Sequence, residues 1–196
     1  LPQIIQGGMG VAVSDWKLAK AVSRHGGMGV VSGTAIDAVL IRRLESGDAG
    51  GDVRRALAAF PNQETARGII EKYFIEGGKA ADASYSNAPK LLIDASRHSN
   101  DLLIAGAFVE VWLAKEGHEG QVGINFLEKI QMGSAAGILG AMLANVDYVI
   151  MGAGIPREIP RYITDIANKK SSYITVDVVN GESQRITIDP AEFIDS

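Results

Sequence analysis

Glycine-rich turns after short apolar runs are the residues of this chain best suited to chemistry. Three of them occur, at residues 6–10 (QGGMG), at Gly33 and at residues 152–154 (GAG). Glycine lets backbone N–H groups approach a flat or anionic ligand, and α/β folds bind ligands at the carboxyl ends of their strands. A tight turn or close helix packing is the alternative for each turn taken alone. The three together favour a ligand-binding edge.

A polar amide interrupts an apolar run at Asn125, between Ile124 and Phe126. A buried amide has to find hydrogen-bond partners. Asn125 therefore either contacts a ligand or satisfies a neighbouring loop, and the sequence leaves both interpretations open. Glu128 and Lys129 follow, and they either point to the same edge or form a solvated pair.

Several known chemistries are excluded by the residues around these turns. Val11 and the two residues after it stand where a dinucleotide fingerprint needs its third glycine, and no Walker lysine follows any glycine run. His25 and His118 lie beside glycine at predicted helix ends, where a positive charge complements the helix dipole. His98 is predicted in a polar loop without a partner. The sequence thus predicts a binding surface with no catalytic residue and no metal site.

Composition narrows the class of protein further. The 196 residues carry 19 basic and 23 acidic side chains, a net charge of -4, and no long basic run, so nucleic acid is not an expected partner. The absence of cysteine excludes disulfides, thiolate metal sites and a cysteine nucleophile, and it fits a reducing cytoplasm. No apolar stretch reaches the roughly 18 residues of a membrane span. We expect a cytoplasmic protein with no membrane segment.

The elements that must position the glycine turns follow a strand–helix–strand rhythm. Strands are predicted at residues 3–7 and 29–32, around a helix that Ser14 caps, and again at 121–127 and 147–151, around a helix at 134–145. So short a strand–helix–strand connection favours parallel pairing. All four strands should then present their glycine-bearing ends on one side.

The remaining segments depart from this rhythm. Residues 34–98 are predicted to be a mostly helical insertion, and residues 102–108 a strand that leads into a helix at 109–116. A further helix is predicted at 155–168, with Pro156 in its opening turn. Residues 171–190 are predicted to be a β-hairpin insertion around Asn180-Gly181, a strong hairpin signal.

Three segments carry a resemblance to a known family: IIQGGMGVAVSDWKLAKAVSRHGGMGVVSGTA, FVEVWLAKEGHEGQVGINFLEKIQ and GAMLANVDYVIMGAGIPREIP. They resemble the nitronate monooxygenase (2-nitropropane dioxygenase-like) family, especially its longer branch. That branch is similar to the enoyl reductases associated with polyketide and polyunsaturated fatty-acid synthases. The resemblance implies an α/β fold, a (β/α)8 TIM barrel of the FMN-dependent type, with FMN at the carboxyl ends of the strands.

The resemblance also implies cofactor-binding positions. The family's QG-x-M motif lies against the isoalloxazine ring, its G-[VI]-N motif supplies a polar contact, and its G-x-G-x-P motif lies at the barrel mouth. The matching residues of this chain are Gln6, Gly7, Gly8, Met9, Asn125 and Gly152. The family's AGGH-like catalytic motif and its phosphate loops have no match in these residues. Since a whole barrel takes about 250 residues, we expect residues 1–196 to be the N-terminal half of one TIM-barrel domain.

Three functions follow as expectations. The first is that the full-length protein is an FMN-dependent oxidoreductase that oxidises alkyl nitronates, as small-molecule substrates, with O2, whereas residues 1–196 alone are expected to be inactive. The second is a trans-acting enoyl reductase that uses FMN and NAD(P)H and has an acyl-carrier or synthase partner. The third is a non-catalytic fragment that binds flavin or a partner. Unpaired strand edges would favour oligomers in each case.

Overall fold

A small parallel β-sheet with helices packed on one face forms the centre of the chain. The structure is a computed structural model that describes residues 2–194. The helices and strands in chain order are α1 Trp16–Arg24, β1 Gly29–Ser32, α2 Ile36–Glu45, α3 Asp52–Ala58, α4 Gln63–Tyr73, α5 Arg97–Lys115, β2 Val122–Leu127, α6 Ser134–Leu143, β3 Tyr148–Gly152, α7 Ile159–Ala167, β4 Ser172–Val176 and β5 Gln184–Ile188. Two short 3₁₀ turns, Gln131–Gly133 and Pro190–Glu192, complete the list.

Three of the four predicted parallel strands are confirmed, as β1, β2 and β3. The sheet has the order β1-β2-β3, and Ser32, Asn125 and Ile150 lie side by side across it. Of the first predicted strand, at residues 3–7, the structure has a single parallel bridge between Ile5 and Met28. The carboxyl ends of these strands, with their glycine turns, therefore meet on one side of the sheet.

The expected (β/α)8 barrel, represented by its N-terminal half, is wrong. The described residues form one three-stranded parallel sheet and one two-stranded antiparallel sheet. Between β1 and β2 the chain forms four helices and loops in place of further strands, and β4 pairs with β5 instead of with β3. A barrel requires a sheet that closes on itself. This sheet is open, and the chain is a mixed α/β protein.

The predicted strand at residues 102–108 is also wrong, because these residues belong to the 19-residue helix α5. Helix α5 is buried on nearly all sides, packed against α6, α2, α1 and α3. A Cβ at Gly140 of α6 would overlap the carbonyl oxygen of Ile104, so the two helices touch backbone to backbone. A helix buried all round has no polar stripe, and its apolar run is indistinguishable from that of a buried strand.

The ends of two helices, α1 and α7, differ from the prediction. Asp15, not Ser14, caps α1, since its Oδ1 accepts hydrogen bonds from the N–H groups of Lys17 and Leu18, both at 3.1 Å. Helix α7 begins at Ile159 with Pro160 in its first turn, so Pro156 precedes the helix.

Beyond the sheet, the chain forms a helical segment and a hairpin. Helices α2, α3 and α4 occupy residues 36–73, and residues 74–96 are loops and turns. The antiparallel hairpin is confirmed, with a loop over residues 177–183 in which Asn180 takes a φ of 58°. Within residues 2–194, no helix has the length and apolar character that crossing a membrane requires.

Candidate functional site

The glycine loop at residues 7–10 lies over β1 and β2, where Gly8 faces Val30 and Asn125. A Cβ at Gly8 would overlap Val30 Cγ1 and lie 3.2 Å from Asn125 Cβ, so only glycine lets the loop lie this close to β1 and β2. Ser14 Oγ holds the loop by donating to the carbonyl oxygen of Gly7 at 3.0 Å. The first glycine turn is therefore fixed directly over the carboxyl end of the sheet.

Three consecutive backbone donors in this loop are free. Within residues 2–194, no acceptor pairs with the N–H groups of Gly7, Gly8 and Met9. Gly7 and Met9 are exposed, so water reaches their N–H groups, whereas Gly8 is buried, and a buried backbone donor almost always has a partner. A row of free donors on a fixed loop can therefore receive the oxygen and nitrogen acceptors of a ligand.

The side chain of Gln6 bonds the backbone of β1, a role that the sequence did not reveal. Its amide forms two 3.0 Å hydrogen bonds with the backbone of Val30, accepting from the N–H and donating to the carbonyl. Nε2 also donates to the carbonyl oxygen of Gly7 at 3.1 Å. The Gln6 side chain thus extends the sheet in the way a strand backbone would, and its polar atoms are already engaged.

Asn125 lies at the centre of the site. It is 4% exposed, and its backbone carbonyl accepts a hydrogen bond from Gly33 N at 2.8 Å. The side chain makes one hydrogen bond to the described residues, from Nδ2 to Met9 Sδ at 2.9 Å. Because a thioether is a weak acceptor, most of the hydrogen-bonding capacity of this buried amide remains available.

Met9 lies between the first glycine turn and the third. Its side chain is 55% exposed, and a Cβ at Gly152 would lie 3.5 Å from Met9 Sδ. The structure therefore brings Gly8, Met9, Asn125 and Gly152 together. Gly7 precedes them on the same loop, and of Gln6 only the backbone carbonyl is left to face a ligand, because its N–H donates to Met28.

Ser32 belongs to the same edge, although the sequence analysis did not select it. It lies beside Asn125 in the sheet register, is 4% exposed, and its Oγ has no hydrogen-bond partner among the described residues. The available signal was a hydroxyl residue at the end of an apolar strand, directly before a glycine. Such a buried, unpartnered hydroxyl calls for an explanation, and a ligand atom is one.

One acidic side chain, that of Glu128, lies against the third glycine turn. The N–H of Glu128 donates to the carbonyl oxygen of Gly152 at 2.9 Å, and Gln131 Nε2 donates to Glu128 Oε1 at 3.3 Å. A Cβ at Gly154 would overlap the Glu128 carboxylate, so this glycine is required for the close approach. Glu128 therefore lies at the carboxyl edge of the sheet, beside the third glycine turn.

The three histidines have structural partners away from this edge. His25 forms the C-cap of α1, and the His118 ring lies 2.6 Å from the carbonyl oxygen of Ala114. His98 lies in α5 rather than in a loop, and its Nε2 is 2.8 Å from Tyr73 Oη. Burial, followed by the nearby Lys72, lowers the pKa of His98.

The carboxyl group of Glu110 is a titratable group deep in the helical layer. It lies 2.6 Å from Arg43 and accepts a hydrogen bond from Trp16 N at 2.9 Å. Burial raises its pKa to about 7 in spite of the Arg43 guanidinium. Glu110 anchors the start of α1 to α5.

Within the described residues no group of three or more His, Asp or Glu side chains could hold a metal ion.

The site chemistry fits a flat heteroaromatic ring with polar edges. Gly8 lets the loop lie against Val30 and Asn125, the loop offers free N–H donors, and Asn125 and Ser32 offer buried polar groups. The isoalloxazine ring of FMN has this character. Comparison of the chain with protein-family models, with curated proteins and with solved structures found no match.

Proposed function

We propose that the carboxyl edge of the parallel sheet binds FMN, and that the protein is an oxidoreductase similar to nitronate monooxygenases. One observation carries the proposal: Asn125, a 96%-buried amide, meets only the sulfur of Met9 beneath a glycine loop with free N–H groups. A ligand that offers this buried amide a stronger hydrogen-bond partner than a thioether therefore binds more favourably.

Each residue has a role in this proposal. The N–H groups of Gly7 and Gly8 donate to acceptors on the ring, Asn125 fixes the ring by a hydrogen bond at its polar edge, and Gly152 lies beside Met9 at its outer rim. Bound FMN would supply the redox chemistry, taking electrons from an alkyl nitronate and passing them to O2. The chain's own contribution is to bind and orient the ring and the small-molecule substrate.

The proposal includes a cytoplasmic location. A chain without cysteine needs no oxidising compartment for its stability. An acyl-carrier or synthase partner would belong to the enoyl-reductase alternative, and no contact in residues 2–194 favours that alternative over nitronate oxidation.

The test is a titration of the purified protein with FMN, followed by quenching of flavin fluorescence. We expect saturable binding by the wild type and by Gly68→Ala, and a large loss in Gly8→Ala. Gly68 lies in α4 with open space around its Cβ position, so it is a matched glycine control away from the site. Wild-type protein that fails to quench FMN, or a Gly8→Ala variant that binds as well as Gly68→Ala, would contradict the proposal.

Activity is measured separately on FMN-loaded protein. O2 consumption with an alkyl nitronate is the expected activity. NADPH oxidation with an enoyl thioester, in the absence of nitronate turnover, would assign the enoyl-reductase alternative instead. Flavin binding without turnover of either substrate would support the third expectation, a non-catalytic protein that binds flavin.

A further inference from the structure

A cavity opens between the beginnings of helices α1 and α3 and along α2, and we call it the α1–α3 groove. Its volume is about 650 Å³. Ala35, Ala38, Val39 and Val53 supply apolar lining, and the ring of Trp16 adds an aromatic wall. The residues of the proposed FMN site do not line this groove: Gly7, Gly8, Met9, Ser32, Asn125 and Gly152.

The acidic side chains that line this groove are all engaged. Asp48 accepts from Val53 N and from Arg54 at 3.0–3.1 Å. Asp52 pairs with Arg55 at 2.9 Å. Asp15 caps α1 through one oxygen, and its other oxygen lies 3.6 Å from Arg43.

One of the three lining cations is engaged in the same way. Arg43 pairs with buried Glu110 at 2.6 Å as well as with Asp15. These ion pairs belong to the contact between the start of α1, α2 and α5. Arg43 is therefore compensated before any ligand arrives.

The other two cations, Lys17 and Arg42, are left without a counter-charge. Neither forms a salt bridge within residues 2–194. Lys17 Nζ lies 5.4 Å from the centre of the Trp16 ring, and the Arg42 guanidinium lies 5.6 Å from that of Tyr85. A cation–π contact restrains a charged group and leaves its charge uncompensated. The groove thus combines apolar walls with two exposed positive charges that have no salt-bridge partner within residues 2–194.

We propose that the α1–α3 groove binds a small organic anion, whose phosphate or carboxylate meets Lys17 and Arg42 while its apolar body covers the alanine and valine lining. A charged head group alone would leave the apolar lining exposed, and an uncharged apolar molecule would leave both cations unpaired. Only a ligand with both parts satisfies the whole groove. This proposal is independent of the flavin proposal, because the two sites share no residue.

The test compares three fluorescent probes with the same aromatic body: 1-naphthyl phosphate, 1-naphthoate and uncharged 1-naphthol. We expect the wild type to bind at least one of the anions about fivefold more tightly than 1-naphthol, a factor that corresponds to about 1 kcal/mol. The tighter of the two anions identifies the head group. Binding of 1-naphthol as tightly as both anions would overturn the proposal.

Two sets of variants locate the binding. Lys17→Gln/Arg42→Gln removes both unpaired charges and should weaken anion binding about fivefold, whereas Lys90→Gln/Lys170→Gln makes the same charge change at exposed positions outside the groove and should have no effect. Ala38→Leu narrows the groove and should weaken the anions and 1-naphthol alike. Circular dichroism verifies that each variant is folded.

Three results would overturn the assignment. The first is equal loss in the two double variants, which would indicate a general charge effect. The second is unchanged binding in both Lys17→Gln/Arg42→Gln and Ala38→Leu. The third is displacement of the anion by FMN together with unchanged FMN binding in Asn125→Leu, since the groove would then be the flavin site itself.

Discussion

The Asn125 side-chain nitrogen donates to Met9 Sδ across 2.9 Å, and this contact joins residues 116 positions apart. It fastens the glycine loop to the central strand of the sheet. The amide is therefore held in one orientation, but by an acceptor that is weaker than an oxygen. An amide in this state is pre-positioned for a ligand and costs little to release.

The first prediction is that Asn125→Leu weakens FMN binding. Leucine has a similar size and cannot hydrogen-bond, so the polar edge of the ring is left unpaired, at a cost of about 1 to 3 kcal/mol in binding free energy. Fluorescence titration of FMN measures the effect. Asn87→Leu, in an exposed loop, is the control. Undiminished FMN affinity in Asn125→Leu would return this amide to a purely structural role.

The second prediction is that Met9→Leu tightens FMN binding about two- to fivefold. Leucine keeps the apolar contact with the site but cannot accept the hydrogen bond, so Asn125 has no competing partner to give up when the ligand binds. In the Asn125→Leu background, Met9→Leu should have no such effect. This double-mutant cycle isolates the Asn125–Met9 contact, and equal effects in both backgrounds would show that the contact does not compete with FMN.

The sequence was informative about the site wherever a residue was unusual for its place. Asn125 was selected because an amide is rare inside an apolar strand, and Gly8 and Gly152 because glycine follows strands at ligand-binding edges. Gln6 was assigned to a ligand, whereas its amide bonds the backbone of Val30. That role depends on which strand lies alongside, and tertiary pairing of this kind leaves no local signal.

The fold was predictable where short-range patterns decide it. The three parallel strands and the antiparallel hairpin follow from apolar runs bounded by glycine or by Asn180-Gly181. Helix α5 was missed because Leu102 to Ala114 are almost all buried, which removes helical periodicity. The barrel was an implication of resemblance, not of a pattern, and strand count and closure are long-range properties that no local pattern contains.

The third prediction concerns the contact between α5 and α6. Gly140→Ala would place a methyl group against the carbonyl oxygen of Ile104, and we expect a loss of about 1 to 3 kcal/mol in the free energy of unfolding. Gly68→Ala is the control, because its helix position is open and alanine stabilises helices by about 0.5 to 1 kcal/mol over glycine. Urea unfolding measures both, and a Gly140→Ala variant as stable as Gly68→Ala would contradict this packing.

The last prediction is a pH dependence of stability caused by Glu110. Its pKa is raised from an ordinary 4.5 to about 7 by burial, against the lowering effect of Arg43. Between these two values the unfolded chain has released the proton while the folded protein still holds it. The free energy of unfolding therefore falls as the pH rises from about 4.5 to 7, by at most about 3 kcal/mol, and Glu110 contributes no further change above that window.

Glu110→Gln removes this titration and keeps an oxygen that can accept from Trp16 N. The stability of the wild type relative to Glu110→Gln should therefore decline steadily between pH 4.5 and 7 and then level off. Urea unfolding of both proteins at half-unit pH intervals gives the difference. Asp15, which also faces Arg43, is unchanged in both, so most of its own titration cancels in the comparison. A difference that is independent of pH would mean that the Glu110 carboxylate stays ionised beside Arg43 throughout, because the ion pair then outweighs the cost of burial.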